Sequence, residues 1–287
     1  VTETLTREAR AKVNLFLRVF GRETGGMHHL ETLFARIELA DILSARRTGA
    51  SGITLIVSGG DLGPAESNLA YRAAQAVLGA LRTPFGVELT LEKRIPVGAG
   101  LGGGSADAAA TLLLVNQLAG HAVPQSELLQ MGDRLGADVP FCLTEAPLAL
   151  GWGHGGRMMV LPALPPAPLL LVSPAAPVAT SDAYGWLDQS RAQTGRRGAV
   201  LLAPTNLSSW SDVARMAGND FESVVFAHHP EVRAAFEALA RTGPLLCRMT
   251  GSGSTLFAVY RTERERDDAS LSLGKKYGRL SMTNTAG

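Results

Sequence analysis

Pro96-Val97-Gly98-Ala99-Gly100-Leu101-Gly102-Gly103-Gly104-Ser105-Ala106-Asp107 places five glycines in seven positions, and the apolar run Ala108-Ala109-Ala110-Thr111-Leu112-Leu113-Leu114 follows at once. Glycine lets backbone N–H groups turn inward and lets a ligand approach the main chain closely. A glycine loop that opens a helix is a phosphate site, because unpaired N–H groups and the helix dipole both favour an anion. Three other readings compete. Gly98, Gly100 and Gly103 match the spacing G-x-G-x-x-G, but that fingerprint needs a tight strand-to-helix turn and a second strand. Here Glu92-Lys93-Arg94-Ile95-Pro96 separates the strand-like Gly86–Leu91 from the loop, and the short, proline-broken Gly120-His121-Ala122-Val123-Pro124 follows the helix. No Gly-Lys-Ser or Gly-Lys-Thr follows, as a Walker A loop requires. A linker would be flanked by polar segments. Phosphate binding therefore ranks above linker, and linker above dinucleotide fold.

The 287 residues suit two modest domains or one large one. A hydrophobic content of 46% with 18% charged residues is that of an ordinary globular protein, and a net charge of +1 gives no footprint for nucleic acid. The two cysteines, Cys142 and Cys247, cannot form a disulfide framework; they read as core residues in a reducing cytoplasm. No Cys or His spacing suggests a metal site. Met158 to Ser181 lacks charge and is long enough to span a bilayer, yet its six prolines forbid a continuous helix. No membrane partner is expected. Val1-Thr2-Glu3-Thr4 carries no signal or transit pattern.

Alternation predicts a strand over 11–19, with Ala11, Val13, Leu15, Leu17 and Val19 on one face and Lys12, Asn14, Phe16 and Arg18 on the other. Further strands are predicted over 32–39, 53–57, 87–91, 169–172, 246–250 and 256–260. Helices are predicted over 67–81, from Ser105 as N-cap to Gly120, and over 126–135, 182–189, 212–217, 219–226 and 230–240. This mixed order is α+β. The proline-rich stretch 151–168 is the candidate boundary, dividing the chain into 1–155 and 156–287. A second glycine segment, Met249-Thr250-Gly251-Ser252-Gly253-Ser254-Thr255, lies between two strands and reads either as a hairpin turn or as a second backbone element closing on an anion. In Gly136-Ala137-Asp138-Val139-Pro140-Phe141, Asp138 reads as a turn residue, or as a base for an attacking hydroxyl.

With Ala11-Lys12-Val13-Asn14-Leu15, the glycine run and Gly251-Ser252-Gly253-Ser254 in this order, the chain resembles the GHMP kinases over nearly its whole length. Four stretches are the more specific: AKVNLFLRV (11–19), His28-x-Leu30-x-Thr32-Leu33-Phe34, Asn68-Leu69-x-x-Arg72-Ala73-Ala74 and GADVPF (136–141). The resemblance implies a two-domain α+β fold, with an N-terminal ATP-binding α/β domain, a ferredoxin-like C-terminal domain and the active site between them. It implies ATP and Mg²⁺ as cofactors and a small-molecule alcohol bearing a cytidine diphosphate group as substrate, phosphorylated in non-mevalonate isoprenoid synthesis.

By the same resemblance Lys12 and Asp138 are the catalytic pair, and Asn68 with Pro96, Val97, Gly98, Ala99, Gly100, Leu101, Gly102, Gly103, Gly104, Ser105 and Ala106 binds ATP. Asn14, Met27, His28, Tyr184, Gly251, Ser252 and Gly253 bind substrate, and Ser105 is the candidate metal ligand. His28 matches the residue that reads the cytosine. Met27 replaces the family's usual aromatic residue at its position and shifts base stacking toward Tyr184, which reads equally as a half-buried helix residue. The doublet His28-His29 leaves two registers. Expected assembly is a monomer or weak homodimer. The alternatives are a GHMP kinase for homoserine or mevalonate, and a non-catalytic ligand sensor on the same fold.

Overall fold

The structure, a computed structural model, describes residues 3–22, 25–60, 62–194 and 202–286; Val1 and Thr2 of the opening lie outside the described residues. In chain order the elements are β1 (Thr4–Arg22), β2 (His28–Thr48), β3 (Ile53–Ser58), α1 (Leu69–Ala80), β4 (Gly86–Glu92), α2 (Gly103–Leu118), α3 (Gln125–Leu135), α4 (Val139–Thr144), β5 (Leu148–Gly153) and β6 (Arg157–Leu161). Then follow β7 (Pro168–Ser173), α5 (Thr180–Thr194), α6 (Trp210–Met216), β8 (Gly218–Asn219), α7 (Glu222–His228), α8 (Pro230–Ala240), β9 (Leu246–Met249), β10 (Leu256–Val259), α9 (Glu263–Leu273) and β11 (Arg279–Asn284). The chain divides into two compact units that interleave in sequence. One comprises the chain up to Ala11 with Leu39–Val97 and Gly102–Ala146; the other comprises Lys12–Glu38, Gly98–Leu101 and Pro147 onward.

In the first unit β4 pairs antiparallel with the Ile42–Thr48 end of β2 and parallel with β3. Helix α1 buries Ala70, Ala73, Ala74, Val77 and Leu78, a 3.6-period stripe, and packs on α2. Helix α2 is buried from Ala106 to Leu112 without a break, and its alanines let neighbouring helices approach closely. A helix apolar on nearly all sides belongs at the centre of its unit.

In the second unit β1 pairs parallel with β8 at Phe16–Leu17, and β5 pairs antiparallel with Leu30–Ala35 of β2. A separate antiparallel sheet runs in the order β11-β7-β10-β9. Its inner residues Leu170, Val172, Leu256 and Ala258 join Val224, Val225, Val232 and Leu239 in one core. The proline-rich stretch holds β6, an irregular segment over 162–167, and β7. Among the described residues no helix is long and apolar enough to cross a membrane.

One observation extends an expectation and one corrects another. Both faces of β1 are covered here: Lys12, Asn14, Phe16 and Arg18 are as buried as their apolar neighbours. The predicted helix over 219–226 starts at Glu222, because Gly218 and Asn219 pair with β1 and Asn219 Oδ1 accepts the Phe221 N–H.

Candidate active site

In the glycine run Gly98, Gly100 and Gly102 have φ of +69°, +72° and +70°. Every second residue is therefore left-handed, a conformation that L side chains resist and that gathers successive N–H groups on one side. Gly102 is the N-cap of α2 and supplies no side chain to it. Ser105, expected as the cap, is instead the third residue of the helix, since Gly103 and Gly104 already adopt helical backbone. The first backbone bond of the helix runs from Ala106 N–H to Gly102 O at 2.9 Å. The N–H groups ahead of it have no partner inside the helix, which with the dipole makes this end attractive to phosphate. Within the same unit, Leu69 at the start of α1 sits 3.5 Å from where a Gly104 Cβ would lie, and Ser105 Oγ 3.8 Å from the corresponding point on Gly136. Asn68 caps α1 by accepting the Ala70 N–H at 2.9 Å, so its amide oxygen already has a structural task. Asp138 occupies the N-cap position of α4, but its carboxylate makes no capping bond. The loop in which sequence placed it is thus one turn long.

Behind the start of α2 lies a buried ionic cluster that sequence reading missed. Lys93 donates to Asp41 and, at 2.7 Å, to Asp107 Oδ2; Asp41 Oδ1 accepts the backbone N–H groups of Arg94 and Ile95. Burial pushes the Asp107 carboxyl up to about 7, against the opposing pull of Lys93. The cluster ties the entry of the glycine run, at Lys93–Ile95, to the first turns of α2. Gly103 packs tightly beside it: a Cβ there would meet Ile95 Cγ2 at 3.0 Å and Lys93 Nζ at 3.3 Å.

The second unit gathers other predicted residues. Lys12 is buried, and two of its N–H donors go to Asn14 Oδ1 at 2.9 Å and to Gly100 O at 3.1 Å. The backbone N–H of Lys12 also bonds Leu101 O at 3.0 Å. Asn14 Oδ1 accepts the Gly251 N–H at 3.0 Å, and Asn14 Nδ2 donates to Thr32 Oγ1 at 2.8 Å. Asn219, also missed from sequence, donates to Met249 O and Gly251 O, each at 2.8 Å. The two glycine segments therefore meet, with Lys12 and Asn14 as the tie: Gly251 comes so near Gly100 that a Cβ on it would lie 3.1 Å from Gly100 O. Gly253 N–H bonds Thr250 O at 3.2 Å, and Ser252 Oγ is 3.0 Å from Thr180 Oγ1.

A third group in this unit surrounds the two histidines at the start of β2. His28 stacks on Tyr184 at 4.6 Å between centroids, and its Nε2 lies 2.7 Å from Asp188 Oδ1. His29 points to the other side of β2, edge-on to His154. Tyr184 in turn meets Phe221 edge-to-face. One face of the Tyr184 ring is thus covered by His28 itself. Met27 is 54% exposed. Asp188 lies four residues after Tyr184 on α5, hence on the same helical face. That spacing was the available sequence signal for it.

The description "GHMP kinases N terminal domain" matches residues 68–146, and "GHMP kinases C terminal" matches 201–279. The chain is 42% identical over 258 residues to 4-diphosphocytidyl-2-C-methyl-D-erythritol kinase of Solibacter usitatus, covering 88% of this chain and 80% of that one. The chain belongs to the GHMP kinase family. Within it, the protein of the same description from Pelotomaculum thermopropionicum is 38% identical over 89% of this chain and 88% of its own. A crystal structure of 4-(cytidine 5'-diphospho)-2C-methyl-D-erythritol kinase superposes with a TM-score of 0.82 at 36% identity, covering 99% of this chain and all of that one. The homoserine kinase of Cytophaga hutchinsonii superposes at 0.74 with 20% identity, which speaks for the shared two-domain α+β fold alone.

Proposed function

We propose that this GHMP kinase transfers the γ-phosphoryl group of ATP to the 2-hydroxyl of 4-(cytidine 5′-diphospho)-2-C-methyl-D-erythritol, a step of non-mevalonate isoprenoid precursor synthesis in the cytoplasm. The single observation that carries the substrate is the likeness over most of the chain, at 42% identity, to a protein bearing that kinase's name. The homoserine and mevalonate kinases resemble the chain at 20% identity or less and lend that reading no comparable support. Residues 1–155 and 156–287 are the proposed extents of the two family domains.

Phosphoryl transfer is largely positioning and charge stabilisation. The N–H groups from Gly98 to Ser105 hold the phosphates of ATP. Lys12, rigid because Asn14 and Gly100 take two of its donors, places a cation on the transferring group. Asp138 accepts or orients the proton of the substrate hydroxyl. His28 reads the base. Among the described residues no three His, Cys, Asp or Glu side chains gather as a metal-holding group. That donor set suits an Mg²⁺ carried mainly by phosphate and water, with the Ser105 hydroxyl as the protein atom offered to it. Bound there, Mg²⁺ supplies neutralisation of phosphate charge.

The test is ADP release by the purified protein with the cytidine-diphosphate substrate, with homoserine and with mevalonate. Turnover is expected with the first alone; turnover with either of the others in its place overturns the assignment.

A further inference from the structure

We propose that Asp188 is a positioning residue that makes His28 a proton acceptor at Nδ1, and so makes the site prefer an aminopyrimidine base to an oxopyrimidine. This rests on the function proposed above, in which His28 faces the base.

The argument begins with donor and acceptor inventory. An ionised carboxylate only accepts hydrogen bonds, so the 2.7 Å contact between Asp188 Oδ1 and His28 Nε2 requires the proton on Nε2. In the neutral ring the other nitrogen, Nδ1, then carries a lone pair and accepts. The ring cannot rotate to exchange these roles easily. Tyr184 lies stacked 4.6 Å from it, and the His28 side chain is only 8% exposed. The other oxygen of Asp188 lies 4.0 Å from Arg22 Nη1. Tyr184 and Asp188, one turn apart on α5, therefore act as a bracket: one fixes the plane of the imidazole, the other its tautomer.

An acceptor at Nδ1 complements the exocyclic amino group of cytosine. Against uracil it meets a carbonyl oxygen, acceptor against acceptor, and a buried polar pair without a proton between its members is unfavourable. This selection does not need an aromatic residue at position 27. It gives the chain a way to recognise the base by its edge, while Met27 provides no flat ring for stacking.

The tautomer is read first, by ¹⁵N–¹H NMR of the histidine-labelled protein without ligands. His28 is expected as the Nε2-protonated form in the wild type and as a tautomer mixture in Asp188→Ala. An Nδ1-protonated or doubly protonated His28 in the wild type at neutral pH overturns the proposal. Kinetics follow, using the cytidine substrate and its uridine counterpart. In Asp188→Ala the KM for the cytidine substrate should rise about tenfold, as for loss of one well-made hydrogen bond, and the preference over uridine should fall by a similar factor. The kcat and the KM for ATP should stay within about twofold, which a general disturbance of the fold would not allow. Asp188→Asn keeps an acceptor oxygen and should retain most of the preference. An unchanged cytidine preference in a folded Asp188→Ala protein overturns the proposal. Wild-type protein inactive with the cytidine substrate defeats the functional reading instead, and the tautomer measurement, which needs no turnover, still judges the role of Asp188.

Discussion

Replacing Gly100 by alanine should damage the protein more than replacing Gly98, although both residues have nearly the same backbone conformation. At φ of +72° an alanine in place of Gly100 carries the left-handed penalty, about 1–2 kcal/mol. Its Cβ would also lie 2.5 Å from Thr250 O and 3.4 Å from Gly253 O. These obstacles are backbone atoms with little room to yield. Thr250 O accepts the Gly253 N–H, Gly251 N–H is bonded to Asn14, and Asn219 holds Met249 O and Gly251 O from the other side. Nor can Gly100 retreat freely, since Lys12 Nζ donates to its carbonyl. Relief of the clash therefore sacrifices one or two hydrogen bonds, at about 0.5–1.5 kcal/mol each. The combined loss for Gly100→Ala is about 1.5–5 kcal/mol. Gly98 has φ of +69° and nothing within 4 Å of a Cβ, so Gly98→Ala should lose only the first contribution. Urea unfolding of both variants beside the wild type gives the two differences. Equal losses, or a Gly100→Ala protein as stable as the wild type, would refute the claim that the two glycine segments are locked together.

Asp138→Asn keeps the shape of the side chain and removes its basicity; turnover should fall about 10²–10⁴-fold with ATP affinity little changed, measured by steady-state kinetics and nucleotide titration. Lys12→Ala should lower kcat rather than only raise the KM for ATP, and a pure KM effect would make Lys12 an anchor for phosphate instead. Lys93→Met leaves Asp41 and Asp107 buried without their cation, and should cost about 3–5 kcal/mol in urea unfolding; a loss under about 1 kcal/mol would remove the cluster from the support of α2.

Much of this architecture was legible in the sequence because its signals were local. The alternation in Ala11–Val19 gave a strand, and the helix expected over 67–81 is α1, Leu69–Ala80. The glycine run pointed to phosphate without help from tertiary structure. Ser105 misled because serine is a stronger cap former than glycine, while the positive φ that puts the cap at Gly102 is not written in residue type. Strands β5 and β6 went unread: Gly151 and Gly153 weaken the strand pattern, and the prolines that follow suggested irregular chain. Helix α9 hid behind ERERDDASLSL, in which only Ala269 and Leu273 are buried, and β11 behind a polar sequence. The Asp41–Lys93–Asp107 cluster joins residues 52 and 14 positions apart, and no local rule connects them. The cluster around His28 was half legible. His28 and Tyr184 were singled out, but their stacking on each other, with Asp188 behind, is a tertiary fact.

The central claim is the transfer of a phosphoryl group to one particular hydroxyl, and the product reports it directly. The 2-hydroxyl sits on a tertiary carbon that bears no hydrogen, unlike the primary and secondary hydroxyls of the same molecule. Proton-coupled ³¹P NMR of the product formed from ATP and the cytidine-diphosphate substrate should therefore show a new phosphomonoester signal without splitting by a carbinol proton. A doublet or triplet would place the phosphate on another carbon, and no new phosphomonoester at all would contradict the assigned substrate.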